Sequence, residues 1–453
     1  MRASKHSLDT GQHPSQTPSV NSEHCAKTLS LPVRRTGVFL RLLSSGLIAV
    51  AVIFPAIAAD SASDWPAWRG PTGNGLATPG QKPPVQWSET ENILWKTPVP
   101  GRGHGSPTVV GNRIYLATAD QTKRSQSVVC IDRQSGKLVW QTVVHAEGAN
   151  PGKHANSSAA SSTVTCDAGQ LFINFLNGGA VYTTSLNPGG KVLWQQKICD
   201  YVTHQGFASS PVAHGTLVLV SADHKGGGVV AGLDRKDGRI VWSDARPKHH
   251  NYTSPSIVQA GGRTQMVMAG CNLVTSLDPT TGSKLWETNG STEECVGSAV
   301  TDGTRVFVSG GYPKNHTMAL MADGTGTVAW QNNARVYVPS MIVKGGHLYA
   351  VTDAGFAVCW KSDTGEELWK ERLGGDFFSS PVMVDDLIYA SNVSGKTFVF
   401  IATPKEFKLV AQNQLSDETY ASPTVCGGRV YLRVAKRGEN RQEFLYCVGK
   451  IGS

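Results

Sequence analysis

The sequence predicts an all-β fold: an eight-bladed β-propeller built from four-stranded antiparallel blades. Three observations predict it. A Ser-Pro-x-Val-like motif recurs eight times, a turn followed by tryptophan recurs behind most copies, and no helical periodicity separates them. The steps between successive repeat tryptophans are 45, 54, 48, 44, 44 and 39 residues. A repeat of that length without a helical pattern is typical of one propeller blade.

The first motif predicts the innermost strand of each blade. Inner strands crowd around the axis and favour small residues, which fits Ser209-Ser210 and Ser379-Ser380. Anchored on the residue after the serine, the motif recurs at Pro107, Thr163, Pro211, Pro255, Ala299, Pro339, Pro381 and Pro423.

The second and third strands follow from the residues between the two motifs. A glycine turn leads into an apolar strand, as at 111–115, and the third strand ends in a tight turn. Gly136 and Gly238 fit that turn because glycine adopts positive φ. Three cysteines, Cys130, Cys359 and Cys447, share one position two residues before the turn, and we interpret them as small buried hydrophobic residues.

The second motif predicts the outermost strand. A large ring has room there to wedge against the neighbouring blade while its N–H remains usable. In the seventh blade Leu409 stands where a tryptophan is expected. The predicted docking tryptophans are Trp95, Trp140, Trp194, Trp242, Trp286, Trp330 and Trp369.

The ends of the chain are predicted to close the ring. The eighth repeat has no tryptophan of its own, whereas residues 92–95 have the pattern of an outer strand that precedes the first blade. We expect this N-terminal strand to complete the eighth blade and remove an open sheet edge.

The N-terminus divides the chain into three segments. Residues 1–58 are predicted to be a polar leader and signal peptide, because Arg34, Arg35 and Arg41 precede an apolar run that ends in Ala56-Ile57-Ala58, a small-x-small cleavage site. An uncleaved membrane anchor is the alternative. Residues 59–91 are a lead-in segment, and residues 92–453 form a single propeller domain. We expect an exported protein, periplasmic or secreted, without a transmembrane span once the signal is removed.

Charge and cysteine spacing exclude several classes of function. The formal net charge is +8, and the leader supplies half of it through six Lys/Arg against two Asp/Glu. The remaining +4 is not clustered into a stripe for nucleic acid. No cysteine or histidine spacing is typical of zinc, so no metal site is predicted. The pairing of the eight cysteines after the leader stays open.

The repeat resembles the tryptophan-docking motif of the pyrroloquinoline-quinone-like, or quinoprotein alcohol dehydrogenase-like, propellers. That motif, Ala/Gly/Ser-x-Asp-x-x-Thr/Ser-Gly-x-x-x-Trp, stands at 232–242 and 276–286 and recurs through about 90–450. The resemblance implies a dehydrogenase or a non-enzyme. Its dehydrogenases bind the quinone in the central funnel with calcium, a catalytic Asp and a disulfide between adjacent cysteines.

This chain is more similar to the BamB-like, non-enzyme branch. It has no adjacent cysteine pair and no residues that match the calcium ligands, so no catalytic residue is assigned. The resemblance implies a binding or scaffold protein in the cell envelope, without a lipid anchor because the first cysteine after the signal is Cys130. Partners would be envelope proteins or a small polar ligand, not nucleic acid, and we expect a monomer. The alternative is a quinone-dependent dehydrogenase of alcohols or sugars with pyrroloquinoline quinone and calcium as cofactors.

A binding site is predicted at the mouth of the axial channel. The segments that enter the inner strands are the loops from all blades that converge on one place. If they form one site, His104, His204 and Asn251 should approach one point; the alternative is that these residues only bind channel water and cap strands. The candidate ligand-binding residues are His104, Asn156, His204, Asn251, Tyr252, Glu294, Arg335, Tyr337, Asp376 and Glu418.

Overall fold

The computed structural model describes residues 63–450 apart from positions 151, 153 and 155. These residues form strands and turns, and no helix in them is long and apolar enough to cross a membrane. The predicted leader and signal peptide at residues 1–58 lie outside the described residues.

The strands form eight four-stranded antiparallel sheets, which confirms the predicted propeller. Blades 1 to 4 contain, in order, β2 Thr108–Val110, β3 Arg113–Asp120, β4 Ser125–Asp132, β5 Leu138–His145; β6 Thr165–Asp167, β7 Gln170–Asn177, β8 Ala180–Leu186, β9 Val192–Asp200; β10 Val212–His214, β11 Leu217–Ala222, β12 Val229–Asp234, β13 Ile240–Ala245; β14 Ser256–Ala260, β15 Arg263–Gly270, β16 Leu273–Leu277 and β17 Lys284–Asn289.

Blades 5 to 7 repeat the same order, and blade 8 combines both ends of the chain. They contain β18 Val300–Thr301, β19 Arg305–Gly310, β20 His316–Met321, β21 Val328–Asn332; β22 Ile342–Lys344, β23 His347–Val351, β24 Phe356–Lys361, β25 Glu367–Arg372; β26 Val382–Val384, β27 Leu387–Ser391, β28 Lys396–Ile401, β29 Leu409–Gln414; and β30 Thr424–Cys426, β31 Arg429–Lys436, β32 Gln442–Val448 with β1 Ile93–Val99.

The N-terminal strand closes the ring as predicted. Strand β1 pairs antiparallel with β32, and Trp95 lies opposite Cys447. Blade 8 therefore has four strands although only three of them follow blade 7 in the chain. This pairing makes the two ends of the propeller domain one sheet.

Hydroxyl side chains link the inner strands around the axis. In most blades the backbone N–H of one serine or threonine donates to the hydroxyl of the equivalent residue in the next blade, at 2.8–3.1 Å. Two of the eight motif positions predicted from the sequence were wrong. In blade 2 the residue at the serine position is Thr163, which was predicted to follow it. In blade 6 the residue at the serine position is Ser340, which comes after the predicted Pro339. We call this set the serine ring: Ser106, Thr163, Ser210, Ser254, Ser298, Ser340, Ser380 and Ser422.

Each docking tryptophan follows a β-bulge and faces a small residue of the third strand. Trp140 lies opposite Cys130, Trp242 opposite Gly232, and Trp369 opposite Cys359. The shared cysteine position is therefore a place for a small buried side chain, as predicted. All eight cysteines in the described part of the chain are free thiols.

The indoles dock on the turn of the next blade. Trp140 donates its N–H to the Pro188 carbonyl at 3.0 Å, and its ring covers Gly190, whose φ is +88°. A Cβ on Gly190 would lie 2.8 Å from the indole. Five indole N–H groups bind a backbone carbonyl of the next blade in this way: those of Trp95, Trp140, Trp194, Trp330 and Trp369.

Blade 7 differs from the sequence prediction. The bulge places Ala411, not Leu409, at the tryptophan position, and Leu409 is 47% exposed. Trp87 of the lead-in segment fills the space: its ring stacks on Tyr389 of blade 7 at 6.2 Å, and its backbone N–H donates to Asn413. A tryptophan at 411 would have no turn to dock on, because β32 and β1 of blade 8 belong to opposite ends of the chain.

Residues 63–91, here called the strap, cross the axis beside the serine ring. Trp65 exchanges backbone hydrogen bonds with Val109 of blade 1. The indole of Trp68 donates to Ser298 at the entrance of blade 5, on the opposite side of the ring, at 2.8 Å. The buried Arg69 donates to the Pro381 carbonyl of blade 7 at 2.9 Å. The strap therefore joins blades 1, 5 and 7 across the axis, on the side away from the mouth.

We predict that Trp87→Ala lowers the free energy of unfolding by about 3–5 kcal/mol, because it removes a buried ring that nothing else can replace. Leu409→Ala should change it by less than about 0.5 kcal/mol, since the side chain is half exposed. Urea unfolding followed by tryptophan fluorescence and by circular dichroism measures both. Equal losses in the two variants would contradict the assignment of Trp87 to the tryptophan position.

Candidate functional site

A cavity of about 900 Å³ lies on the axis, between the mouth and the strap. Trp68 of the strap lines its floor, and segments that enter all eight inner strands contribute to its wall. The cavity contains eight of the ten residues predicted for a mouth site: His104, Asn156, His204, Tyr252, Glu294, Arg335, Tyr337 and Asp376.

The other two predicted residues lie behind the wall. The amide group of Asn251 donates to Asp223 at 2.9 Å and accepts from the backbone N–H of Cys295 at 2.9 Å. Glu418 pairs with Arg437 at 3.2 Å and with Arg441 at 2.8 Å. His104 and His204 thus share the cavity, whereas Asn251 and Glu418 hold the loops that shape it.

The wall between blades 3 and 6 is acidic and aromatic. Glu294 accepts a hydrogen bond from the Tyr337 hydroxyl at 3.0 Å, and its other oxygen lies 3.9 Å from Nε2 of His204. Burial raises the pKa of the Glu294 carboxyl group. His204 in turn stacks on the buried ring of His250, with centroids 4.7 Å apart. This part of the wall therefore holds a carboxylate in poorly solvated surroundings.

Asp353 also lines the cavity, and sequence reasoning missed it. Its carboxylate accepts from the backbone N–H of Tyr337 at 2.7 Å and of Val338 at 3.2 Å. Burial raises its pKa, although these N–H groups act in the opposite direction. Asp353 lies in the hairpin between β23 and β24, which turns at the same end of the blade as the mouth. The repeat motif marks the segments that enter the inner strands and gives no signal for this hairpin.

The opposite wall is built from stacked rings. His104 lies on Tyr420 with centroids 4.3 Å apart, and Tyr420 lies on Phe378 at 6.0 Å. The Tyr420 hydroxyl donates to Asn156 at 3.1 Å. Burial, helped by the nearby Arg102 and other arginines, holds the pKa of His104 well below its usual range. Sequence reasoning chose Glu418 in this segment, and the structure places Tyr420 in the wall.

The donor groups do not fit the calcium and quinone of the dehydrogenases. The described residues contain no group of three or more His, Cys, Asp or Glu side chains that could hold a metal ion. The acids Glu294, Asp353 and Asp376 line the cavity, and Arg335 is the arginine among its lining residues. That balance disfavours an anionic quinone, whose carboxylates need cationic partners.

In comparisons with known proteins, one family model matches the chain, and its relatives include both an assembly factor and an enzyme. The family model described as outer membrane protein assembly factor BamB matches residues 70–201, 124–370 and 314–405. Outer membrane protein assembly factor BamB of Yersinia pestis is 23% identical over 420 residues, which cover 88% of this chain and 97% of that protein. Tetrathionate hydrolase of Acidithiobacillus ferrooxidans is also 23% identical, over 355 residues that cover 67% of this chain and 66% of that protein.

A solved structure shows the same fold. Quinohemoprotein alcohol dehydrogenase from Comamonas testosteroni superposes with a TM-score of 0.64, covering 88% of this chain and 82% of that chain. Its sequence identity is 12%, so the likeness concerns architecture and not chemistry.

We predict that His250 makes the stability of the propeller depend on pH. Burial, followed by the neighbouring His204, lowers the pKa of His250 from 6.5 to about 4. Because the unfolded chain binds the proton more readily, the stabilisation is complete above pH 6.5 and is lost as the pH falls towards 4. The urea midpoint should decrease more between pH 7 and pH 4.5 for the natural protein than for His250→Gln. His347→Gln is the control, and a parallel fall in all three proteins would contradict the prediction.

Proposed function

The chain belongs to the family described as outer membrane protein assembly factor BamB, a family of pyrroloquinoline-quinone-like repeat propellers, and we propose that it is an exported binding or scaffold protein of the cell envelope. The family model spans most of the propeller, and the relative from Yersinia pestis is matched over nearly its whole length. Export rests on the predicted signal peptide at residues 1–58.

The observation that carries the proposal is the mouth itself. Side chains from all eight blades, together with Trp68 of the strap, line one cavity. Its polar groups are held by each other, as in the Tyr337 hydroxyl bound to Glu294 and the Tyr420 hydroxyl bound to Asn156. A preformed concave surface of this kind binds a partner or ligand with little reorganisation.

The alternative is a quinone-dependent dehydrogenase that uses the same cavity; the fold shared with the Comamonas enzyme is compatible with it but concerns architecture alone. The lack of a metal-binding group among the described residues argues against it. Titration with pyrroloquinoline quinone and calcium separates the two functions. Saturable quinone absorbance together with dye reduction by alcohols or sugars would overturn the scaffold function.

A photocrosslinker at the mouth tests the proposal in native cells. We would replace Tyr312, which lines the cavity and is 52% exposed, by p-benzoylphenylalanine, and Leu409 on the outer surface as the matched control. Adducts with envelope proteins of outer-membrane assembly are expected from position 312, in the envelope fraction. Adducts from position 409 alone would exclude the mouth as the binding face, and a protein found only in the cytoplasm would overturn the proposal.

A further inference from the structure

One buried carboxylate in the wall of the cavity, Glu294, differs from the buried carboxylates elsewhere in the propeller. Away from the cavity, buried acids are neutralised by arginine: Asp223 pairs with Arg246 at 3.2 Å, Glu443 with Arg433 at 2.7 Å, and Glu418 with Arg441 at 2.8 Å. The buried Asp64 of the strap accepts from the backbone N–H of Gly111. These acids satisfy the rule that a buried charge needs a partner of opposite sign or strong hydrogen bonds.

Glu294 and Asp353 are the buried acids that line the cavity, and neither forms an ion pair with a lysine or arginine in the described structure. The neighbours of Glu294 are the Tyr337 hydroxyl and, at 3.9 Å, His204. Asp353 is held by two backbone N–H groups. Asp353 is therefore satisfied by backbone N–H groups, as Asp64 is, whereas the negative charge of Glu294 is only partly compensated by the protein itself.

Arg335, the arginine of the cavity wall, acts on Asp353 through its charge but forms no salt bridge with Glu294 in the described structure. Arg335 donates to the Gly311 carbonyl at 2.6 Å, and its guanidinium lies 5.1 Å from the ring centroid of Tyr337. The same side of the cavity carries the rings of Tyr252 and Tyr337, and Trp68 lies at its floor. Carboxylates beside aromatic rings are the surroundings that bind ammonium and guanidinium groups in proteins.

We propose that the axial cavity binds an organic cation, an ammonium or guanidinium group, with Glu294 as its counter-ion and Tyr252, Tyr337 and Trp68 as aromatic neighbours. The proposal rests on the binding function proposed above and names the chemistry of the ligand. The cavity volume lies in the range of sites for small molecules. A free polyamine and a lysine or arginine side chain of a protein partner share this chemistry.

Isothermal titration calorimetry of the full chain tests the charge requirement. The probes are spermidine, a short peptide with one central lysine, and the same peptide with that lysine acetylated. We expect spermidine or the lysine peptide to bind, and the acetylated peptide to bind at least about tenfold more weakly because it has lost its charge. Binding by spermidine alone would assign a free polyamine, and binding by the lysine peptide alone would assign a partner side chain.

Glu294→Gln tests the counter-ion. The glutamine carbonyl can still accept from the Tyr337 hydroxyl, so the wall is retained while the charge is removed, and an unchanged thermal transition verifies the fold. We expect the affinity for the bound cation to fall at least about tenfold. Glu371→Gln, on the exposed side of β25, is the matched control and should leave the affinity unchanged.

Three results would overturn the proposal: no binding by either amine, equal binding by the acetylated peptide, or equal affinity in Glu294→Gln. The crosslinking experiment at Tyr312 is independent of these results. Adducts from the mouth without amine binding would reject the cationic ligand and leave the scaffold function. If there are neither adducts from position 312 nor amine binding, the mouth is rejected as a binding face.

Discussion

The propeller depends on one repeated contact, an indole that lies on a glycine turn of the next blade. Trp140 over Gly190, Trp194 over Gly238 and Trp330 over Gly365 bring a ring to within 2.5–2.8 Å of where a Cβ would stand. All three glycines have positive φ, a conformation that other residues adopt only with strain. The turn can therefore approach the indole closely only because it carries no side chain. Since the contact recurs from blade to blade, it fixes how neighbouring blades meet.

Closure determines where this contact is interrupted. Blade 8 combines β30, β31 and β32 with β1, and no turn joins β32 to β1, so the turn that would receive an indole from blade 7 is missing. Blade 7 accordingly carries Ala411 at the tryptophan position, and Trp87 supplies a ring from the strap. The same strap brings Trp68 to Ser298 across the axis. One segment thus completes the packing of blade 7 and forms the floor of the cavity.

The sequence allowed the fold to be predicted because the repeat encodes both partners of the docking contact. It also predicted most of the residues that line the cavity, since the loops that enter the inner strands converge there. Asp353 was not predicted to line the cavity because it belongs to a hairpin outside the repeat motif. Trp68 was not predicted because the path of the strap depends on contacts across the whole ring. Asn251 and Glu418 could not be told apart by residue type from Asn156 and Glu294, which do line the cavity. Only their partners, Asp223 for Asn251 and Arg441 for Glu418, reveal that they face away.

The most direct test of the docking contact compares two glycines of positive φ. Gly190 lies under Trp140, whereas a Cβ on Gly346, in the turn between β22 and β23, would meet no heavy atom within 4 Å apart from its chain neighbours. Alanine at either position costs about 1–2 kcal/mol of backbone strain. In Gly190→Ala the clash with the indole adds about 1–3 kcal/mol. Urea unfolding should therefore show a clearly larger loss of stability for Gly190→Ala than for Gly346→Ala, and equal losses would contradict the account.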